Sequence, residues 1–339
     1  MHAPLLLRSL ASAMPMNRRQ LLALTCTPAL TPSAAQAQGW APERPIRMVV
    51  PFPPGGATDV WARMTAEGLQ QRLGQPVVID NRPGAGGMLG AEAVMRAAPD
   101  GYTLLFTITS LVQSPVVMRR FPYDPVEDFA PLGRLGSNAN VWVVGPAVPA
   151  EVTTMEQFTS WGRGRELSFG SWANGSTGHA FGLMLAEEAG LRMAHVAYRG
   201  EAPGVQDLLA GNIHGGWHSI AAVGELIRAG RLRPLGSTGT RRLPSLPEVR
   251  MMREIGFSDR FAFEGFSGLL GPRGLPTPII ERYASTFAQM AQDAEVQRRL
   301  IAMDTFPGYL GPEDFRRFIA ESLTRWREIS ERLGLQADG

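Results

Sequence analysis

Along residues 46–108, short apolar runs take turns with amphipathic stretches. IRMVVPF (46–52) has the apolar density of a buried strand, and DVWARMTAEGLQQRLG (59–74) sets Val60, Met64 and Leu69 among polar neighbours before a closing Gly74. PVVIDN reads as a strand, MLGAEAVMRAA as a helix, and YTLLFTI as a strand after an Asp100-Gly101 turn. Beyond FPYDPVEDFAPLG (121–133) the pattern restarts. NVWVVG, ELSFGS, MAHVAY and NIHGGWH read as strands, and TTMEQFTSWGRG, HAFGLMLAEEAG, PGVQDLLAG and VGELIRAG as helices. A turn-rich passage from RPLGSTG to LPSLPEVRMMREIGF leads to FEGFSGLLGP (263–272), a strand expected to return to the first domain. The chain closes with PTPIIERYASTFAQMAQDAEVQRRLIAM and GPEDFRRFIAESLTRWREISERLG, read as one amphipathic helix each. The alternation predicts an α/β fold of two lobes, each a mainly parallel sheet flanked by helices, with a ligand cleft between them. Residues 38–145 with 263–339 are expected to form lobe 1, and 146–262 lobe 2.

The first 37 residues belong to neither lobe. MNRRQLLALTCTPALTPSAAQAQ (16–38) has the basic start, short apolar run and Ala35-Gln36-Ala37 end of a secretory signal cleaved before Gln38. Arg18-Arg19 also resembles a twin-arginine signal, which leaves the export route open between the general and twin-arginine pathways. Removing residues 1–37 takes away Arg8, Arg18 and Arg19 and no acid, so the formal charge falls from +2 to −1, 30 basic residues against 31 acidic. A near-neutral mature chain argues against nucleic acid or an anionic membrane as partner. Cys26, the single cysteine, lies in the leader, so the mature chain has no disulfide and no thiolate nucleophile or metal ligand. The chain also lacks lysine, which excludes a P-loop lysine and a Schiff base.

Three junctions stand out against this background. PFPPGGATD (51–59) joins a strand to a helix through Pro53, Pro54, Gly55, Gly56, Ala57, Thr58 and Asp59. Free N–H groups at such a helix start attract an anion; a capped turn without ligand, with Thr58 or Asp59 as cap, is the alternative. Gly56 is expected to face the ligand, where a Cβ would intrude and also strain the backbone. FGSWANGSTGHA (169–180) repeats the design with Ser171, Trp172, Ala173, Asn174, Gly175, Ser176, Thr177 and His179. In VAYRGEAPGVQDLL (196–209), Tyr198 is a candidate pocket wall and Arg199 either a carboxylate partner or a solvated charge, with Gly200 opening the next helix. Thr107 and Thr109, at the end of the YTLLFTI strand, and Trp217 and His218, ending NIHGGWH, complete the candidate ligand-binding set.

Enzyme signatures fail on spacing. Gly175-Ser176-Thr177-Gly178 lacks the spacer of a nucleophile elbow, and GAGGMLG (84–90) misses the dinucleotide spacing by a residue. His214 and His218 are four apart, but Gly-Gly between them in a strand context undoes a helical metal pair. No catalytic residue, metal or cofactor is assigned. A hydrolase using the Ser/Thr-rich second loop remains as an alternative, without an assembled acid, base and nucleophile.

PIRMVVPFPPGGATD, GQPVVIDNRPGAGGMLGAEAV, APDGYTLLF, FPYDPVEDFAPLG, VAYRGEAPGVQDLLAGNI and LPSLPEVRMMREIGF resemble, in order, landmarks of the Bug-type substrate-binding receptors of tripartite tricarboxylate transporters. The resemblance runs from about Pro42 to the C-terminus. It implies a two-lobed periplasmic binding protein of type II-like architecture, not an enzyme. Such a protein acts as a monomer, binds a small carboxylate and delivers it to membrane transport subunits or addresses a sensor protein. It also implies that the loops at Pro53–Asp59 and Ser171–His179 hold the carboxylate through main-chain N–H groups and bridging waters. Two departures bear on ligand choice. Trp172 stands where relatives carry small residues, narrowing the pocket or stacking on a planar ligand. Trp217-His218 replaces a common Phe-Asp pair, and the missing acid favours an acidic ligand over an ammonium-bearing one.

Overall fold

The computed structural model describes residues 39–118 and 121–335. The leader assigned to residues 1–37, its cleavage site and Cys26 lie outside the described residues. Among the described residues, no helix is long and apolar enough to cross a membrane.

The first sheet begins as the apolar pattern predicts. β1 (Ile46–Val50), β2 (Val77–Asn81) and β3 (Thr103–Ile108) pair in parallel in the order β2-β1-β3. Their crossovers are α1 (Ala57–Leu73), ended by Gly74 in the left-handed conformation, and α2 (Met88–Met95). Beyond β3 the chain departs from simple alternation. SLVQSPVV forms α3 (Ser110–Val117), and FAPLGRLGSN forms β4 (Phe129–Asn138), a strand buried along its whole length. Pro, two Gly and Arg give β4 little intrinsic strand preference. Its position between β10 (Gly265–Pro272) and β11 (Thr305–Leu310) decides its conformation.

The second sheet, ordered β7-β6-β8-β5-β9, holds β5 (Val141–Val144), β6 (Glu166–Ser171), β7 (Arg192–Ala197), β8 (Gly215–His218) and β9 (Arg233–Ser237). Between them run α4 (Met155–Gly162), α5 (Thr177–Ala189), α6 (Glu201–Ala210) and α7 (Ile220–Arg228). Thr154 and Gln157 form a reciprocal capping box at the start of α4. The chain passes from the first sheet to the second between Asn138 and Val141 and returns between Ser237 and Gly265, through the short α8 (Met252–Ile255). At the crossing, the Asn140 N–H donates to Thr238 Oγ1 and the Thr238 N–H to the Asn140 carbonyl, both at 2.8 Å.

Both sheets are mixed. Parallel pairing is confined to β2-β1-β3 and β7-β6-β8, where a helix intervenes between successive strands. β10 re-enters the first sheet antiparallel to both β3 and β4, and β5 runs antiparallel to β8 and β9. Apolar clusters lie on the helix-covered faces. One spans both sheets and includes Trp142, Trp217, Phe169 and Phe181, whose rings meet edge to face or tilted.

The long C-terminal stretch predicted as one helix is two, α9 (Thr277–Gln292) and α10 (Ala294–Ala302), followed by α11 (Pro312–Leu333). Asp293 makes the break. Its backbone is extended, and its Oδ1 accepts from the N–H groups of Glu295 (2.9 Å) and Val296 (3.4 Å). The other carboxylate oxygen receives Arg72 of α1. Asp293→Ala is expected to cost about 1 kcal/mol through the lost cap, with Asp293→Asn retaining most of it. Chemical denaturation of the two variants checks this, and equal stability of Asp293→Ala and the parent would refute the capping role.

Candidate ligand site

The loop from β1 to α1 divides its tasks residue by residue. Pro54 and Gly55 are exposed and turn away from the protein interior. Gly55 has φ of +83°, a conformation that side chains resist, whereas Gly56 has an ordinary φ of −85°. The expected backbone strain at Gly56 therefore belongs to Gly55. Gly56 is the N-cap of α1 without a side-chain cap, and the first bond of the helix joins the Val60 N–H to the Gly56 carbonyl at 3.1 Å. The N–H groups of Ala57, Thr58 and Asp59 precede that bond and have no main-chain acceptor. Asp59, expected among the ligand contacts, is instead a buried brace. It accepts from the Gly55 N–H (3.1 Å), Asn81 Nδ2 (3.1 Å) and Arg63 Nε (2.8 Å). Burial opposes its charge, but the Arg63, Gly55 and Asn81 bonds outweigh burial and hold its pKa below the usual carboxylate value.

The loop between β6 and α5 is braced in the same way. Ser171 Oγ donates to the Ala173 carbonyl at 2.9 Å and lies 2.7 Å from His195 Nε2. Ser176 caps α5 by accepting from the His179 N–H at 3.3 Å, and the Gly175 N–H donates to His179 Nδ1 at 3.0 Å. The rings of His179 and His195 stack at 3.7 Å, inclined by 10°. Burial lowers the His179 pKa to about 4; burial and the neighbouring His179 lower that of His195 to about 3. Both are neutral at pH 7.

Three contacts draw the two halves together. Gln113 Nε2 of α3 donates to Thr177 Oγ1 of α5 at 2.6 Å. Gly200 sits against Pro53, where a Cβ would come within 2.7 Å of the proline Cδ; its φ is +107°. Phe52, Trp172 and Ala173 form a small apolar cluster between them.

Beneath these contacts lies an inner cavity of about 50 Å³. It is lined by Phe52, Pro53, Gly56, Ala57, Thr58, Trp61, Ile108, Thr109, Gln113, Asn138, Asn140, Trp172, Thr177, Glu201, Ala202, Ser219, Gly265 and Phe266. Eight of these positions are helix caps or first-turn residues, drawn from five helices: Gly56, Ala57 and Thr58 of α1, Thr109 of α3, Thr177 of α5, Glu201 and Ala202 of α6, and Ser219 of α7. No Arg lines it. Four lining side chains carry a buried polar atom without a protein partner: the indole N–H of Trp61 and of Trp172, and one amide atom each of Gln113 and Asn138.

An outer cavity of about 800 Å³ shares Phe52, Pro53 and Trp172 with the inner one and adds Ala173, Asn174, Tyr198, Arg199, Gly200 and the Gly84–Gly87 loop. Of the remaining expected contacts, Thr107 is buried in β3 opposite Gly268, and Ser171, Gly175, Ser176 and His179 serve the loop bracing already described. Trp217 is fully buried among Trp142, Phe181 and Phe261, and lines neither cavity. Strand alternation turns His218 to the opposite face, where Nδ1 lies 3.3 Å from Glu201 Oε1. Glu201 was not among the expected contacts, although it follows Gly200 directly. It brings a carboxylate to the neighbourhood of the acid missing at 218. Trp61, Gln113, Asn138, Asn140 and Ser219 were also missed, since in sequence they resemble core or turn positions. Among the described residues, no group of three His, Cys, Asp or Glu side chains is placed to hold a metal.

Two mixed sheets, joined by two crossings and enclosing a small cavity at helix starts, define a solute-binding protein of the periplasmic type. The chain matches the tripartite tricarboxylate transporter family receptor over residues 61–335, and it belongs to that family. It is 35% identical over 295 residues to Protein BugT of Bordetella pertussis (strain Tohama I), covering 86% of this chain and 90% of that protein. A solved structure of R. palustris Rpa4515 with adipate matches with a TM-score of 0.83 at 32% identity, over 86% of this chain and 98% of that one. The structure of periplasmic binding protein BugD gives 0.81 at 27% identity, over 87% and 99%.

The stacked histidines make stability pH-dependent. Their folded pKa values lie below the unfolded value of about 6.5, so the unfolded chain binds more protons between the two. Their contribution is present above pH 6.5 and is lost as pH falls from there toward 4 and 3. Stability is expected to fall steadily from pH 7 to pH 4, because the unfolded chain takes up protons there that the stacked rings refuse. His179→Asn/His195→Gln keeps acceptors at both places and should flatten this slope in denaturation measured from pH 7 to 4; an unchanged slope would assign it to other groups.

Proposed function

We propose that this chain is an exported periplasmic receptor. It captures a small carboxylate-containing solute in the inner cavity and delivers it, as a monomer, to membrane subunits of a tripartite tricarboxylate transporter. The observation that carries this reading is the meeting of five helix starts on one cavity that no Arg lines among the described residues. Helix starts offer N–H groups and the positive ends of dipoles, which receive an anion without a charged side chain. The free amides of α1 come from one half of the molecule, and those of α5 and α6 from the other. A carboxylate between them ties the halves together, so ligand capture and closure are one event. The indole N–H groups of Trp61 and Trp172 are additional donors. The family membership and the adipate held by a structural relative point the same way.

Native mass spectrometry of the exported protein should reveal a mature chain starting near Gln38 with a retained small acid. The glycine pair separates binding from folding. A Cβ built on Gly56 meets nothing nearer than 3.9 Å, its neighbours being Ala202 and Glu201 across the cleft and the Pro53 carbonyl. Gly56→Val should fold normally while its methyl groups enter that gap. Loss of one charge-assisted bond, about 1.5–3 kcal/mol, lowers carboxylate affinity by about ten- to a hundredfold. Gly55→Val should lose about 1–3 kcal/mol of stability through its positive φ. Calorimetry and melting on both variants test this; a Gly56→Val protein that binds as the parent does overturns the assignment of the α1 start.

A further inference from the structure

One side chain sets the charge of the inner cavity. Among the described residues that line it, Glu201 alone is ionisable, and the chain has no lysine to offset it. Glu201 opens α6 with its side chain 9% exposed. Its Oε1 accepts from the Ser219 N–H at 2.7 Å, and the Ser219 hydroxyl reaches both oxygens, at 3.2 and 3.1 Å. His218 Nδ1 lies 3.3 Å away, while its Nε2 is buried with no protein partner. The Ser219 N–H and hydroxyl are neutral donors that hold the Glu201 carboxylate in place. Arg199, two residues earlier, opens on the outer cavity, and Gly200 packed on Pro53 stands between them.

We propose that Glu201 selects the ligand class: a monocarboxylate whose far end presents a hydrogen-bond donor, such as an amide N–H, a hydroxyl or an ammonium group. A second carboxylate is turned away. The inference rests on the carboxylate reading above. The helix starts accommodate one anionic group, and a cavity of about 50 Å³ brings the other end of the ligand close to Glu201. In surroundings shielded from water, two like charges at that range repel strongly, whereas a donor bonds to the carboxylate.

The test compares matched pairs at pH 7 by calorimetry: succinate with succinamate, glutarate with glutaramate, and adipate with adipamate. Each pair differs only in whether the far end is a carboxylate or an amide. In the best-binding pair the amide should bind the parent protein at least about tenfold tighter, and Glu201→Gln, which keeps size and shape, should bring the ratio to near one or reverse it. A diacid that binds the parent as well as its amide overturns the role of Glu201, and so does a preference that persists in Glu201→Gln. The comparison within the parent stands even where the variant folds poorly. Failure of all six acids to bind overturns the carboxylate reading itself, and this inference with it.

Discussion

The first-turn N–H groups of α1 and α6, left without side-chain caps and facing each other across the cleft, are the constraint around which the site is built. Neither Gly56 nor Gly200 carries a side chain that could satisfy a free amide at its helix start. Buried donors without partners are costly, so a cleft that encloses them favours an acceptor between the two halves. The two nearest carboxylates have partners within the protein. Asp59 turns back on its own loop, and Glu201 turns to Ser219. Asp59 therefore lies outside the cavity wall, while Glu201 lines it with its carboxylate fastened to Ser219.

Rigidity around the cavity comes from neutral groups. Ser171, His195 and His179 are linked by hydrogen bonds and stacking, and their histidines stay uncharged because burial opposes protonation. The result is a loop fixed in shape that contributes no positive charge of its own. Gln113 completes the arrangement by bonding across the cleft to Thr177 through one end of its amide, leaving the other end buried beside the cavity. Trp172 stands in the walls of both cavities and, with Phe52 and Pro53, separates a small inner space from a larger outer one.

Acidic character in such a site need not reside at a fixed sequence position. His218 occupies the end of β8, and Glu201 reaches it from α6, a separation of 17 residues closed to 3.3 Å. Ser219 fastens the pair, since its main chain and hydroxyl both bond to Glu201. Ligand preference therefore follows from the juxtaposition of two strand-to-helix junctions, and either residue read alone gives a misleading charge for the cavity.

Local periodicity and turn chemistry by themselves determined most helices, the strands with continuous apolar runs, and the three loops that hold the helix starts. Those features depend on neighbours in sequence: apolar spacing, Gly74 and Gly190 as helix ends, and glycine and proline at the junctions. Only the tertiary structure decided the conformation of FAPLGRLGSN, whose strand depends on partners more than a hundred residues away, and the mixed direction of both sheets. It also decided which polar side chains face the cavity. Asp59, Ser176 and His179 share loops with true lining residues yet point into their own loop, because the nearest free amides there belong to Gly55, His179 and Gly175. Trp217 and His218 diverge because strand neighbours face opposite sides of a sheet. A sequence records which residues share a loop, but side-chain direction and long-range pairing are set by the whole packed chain.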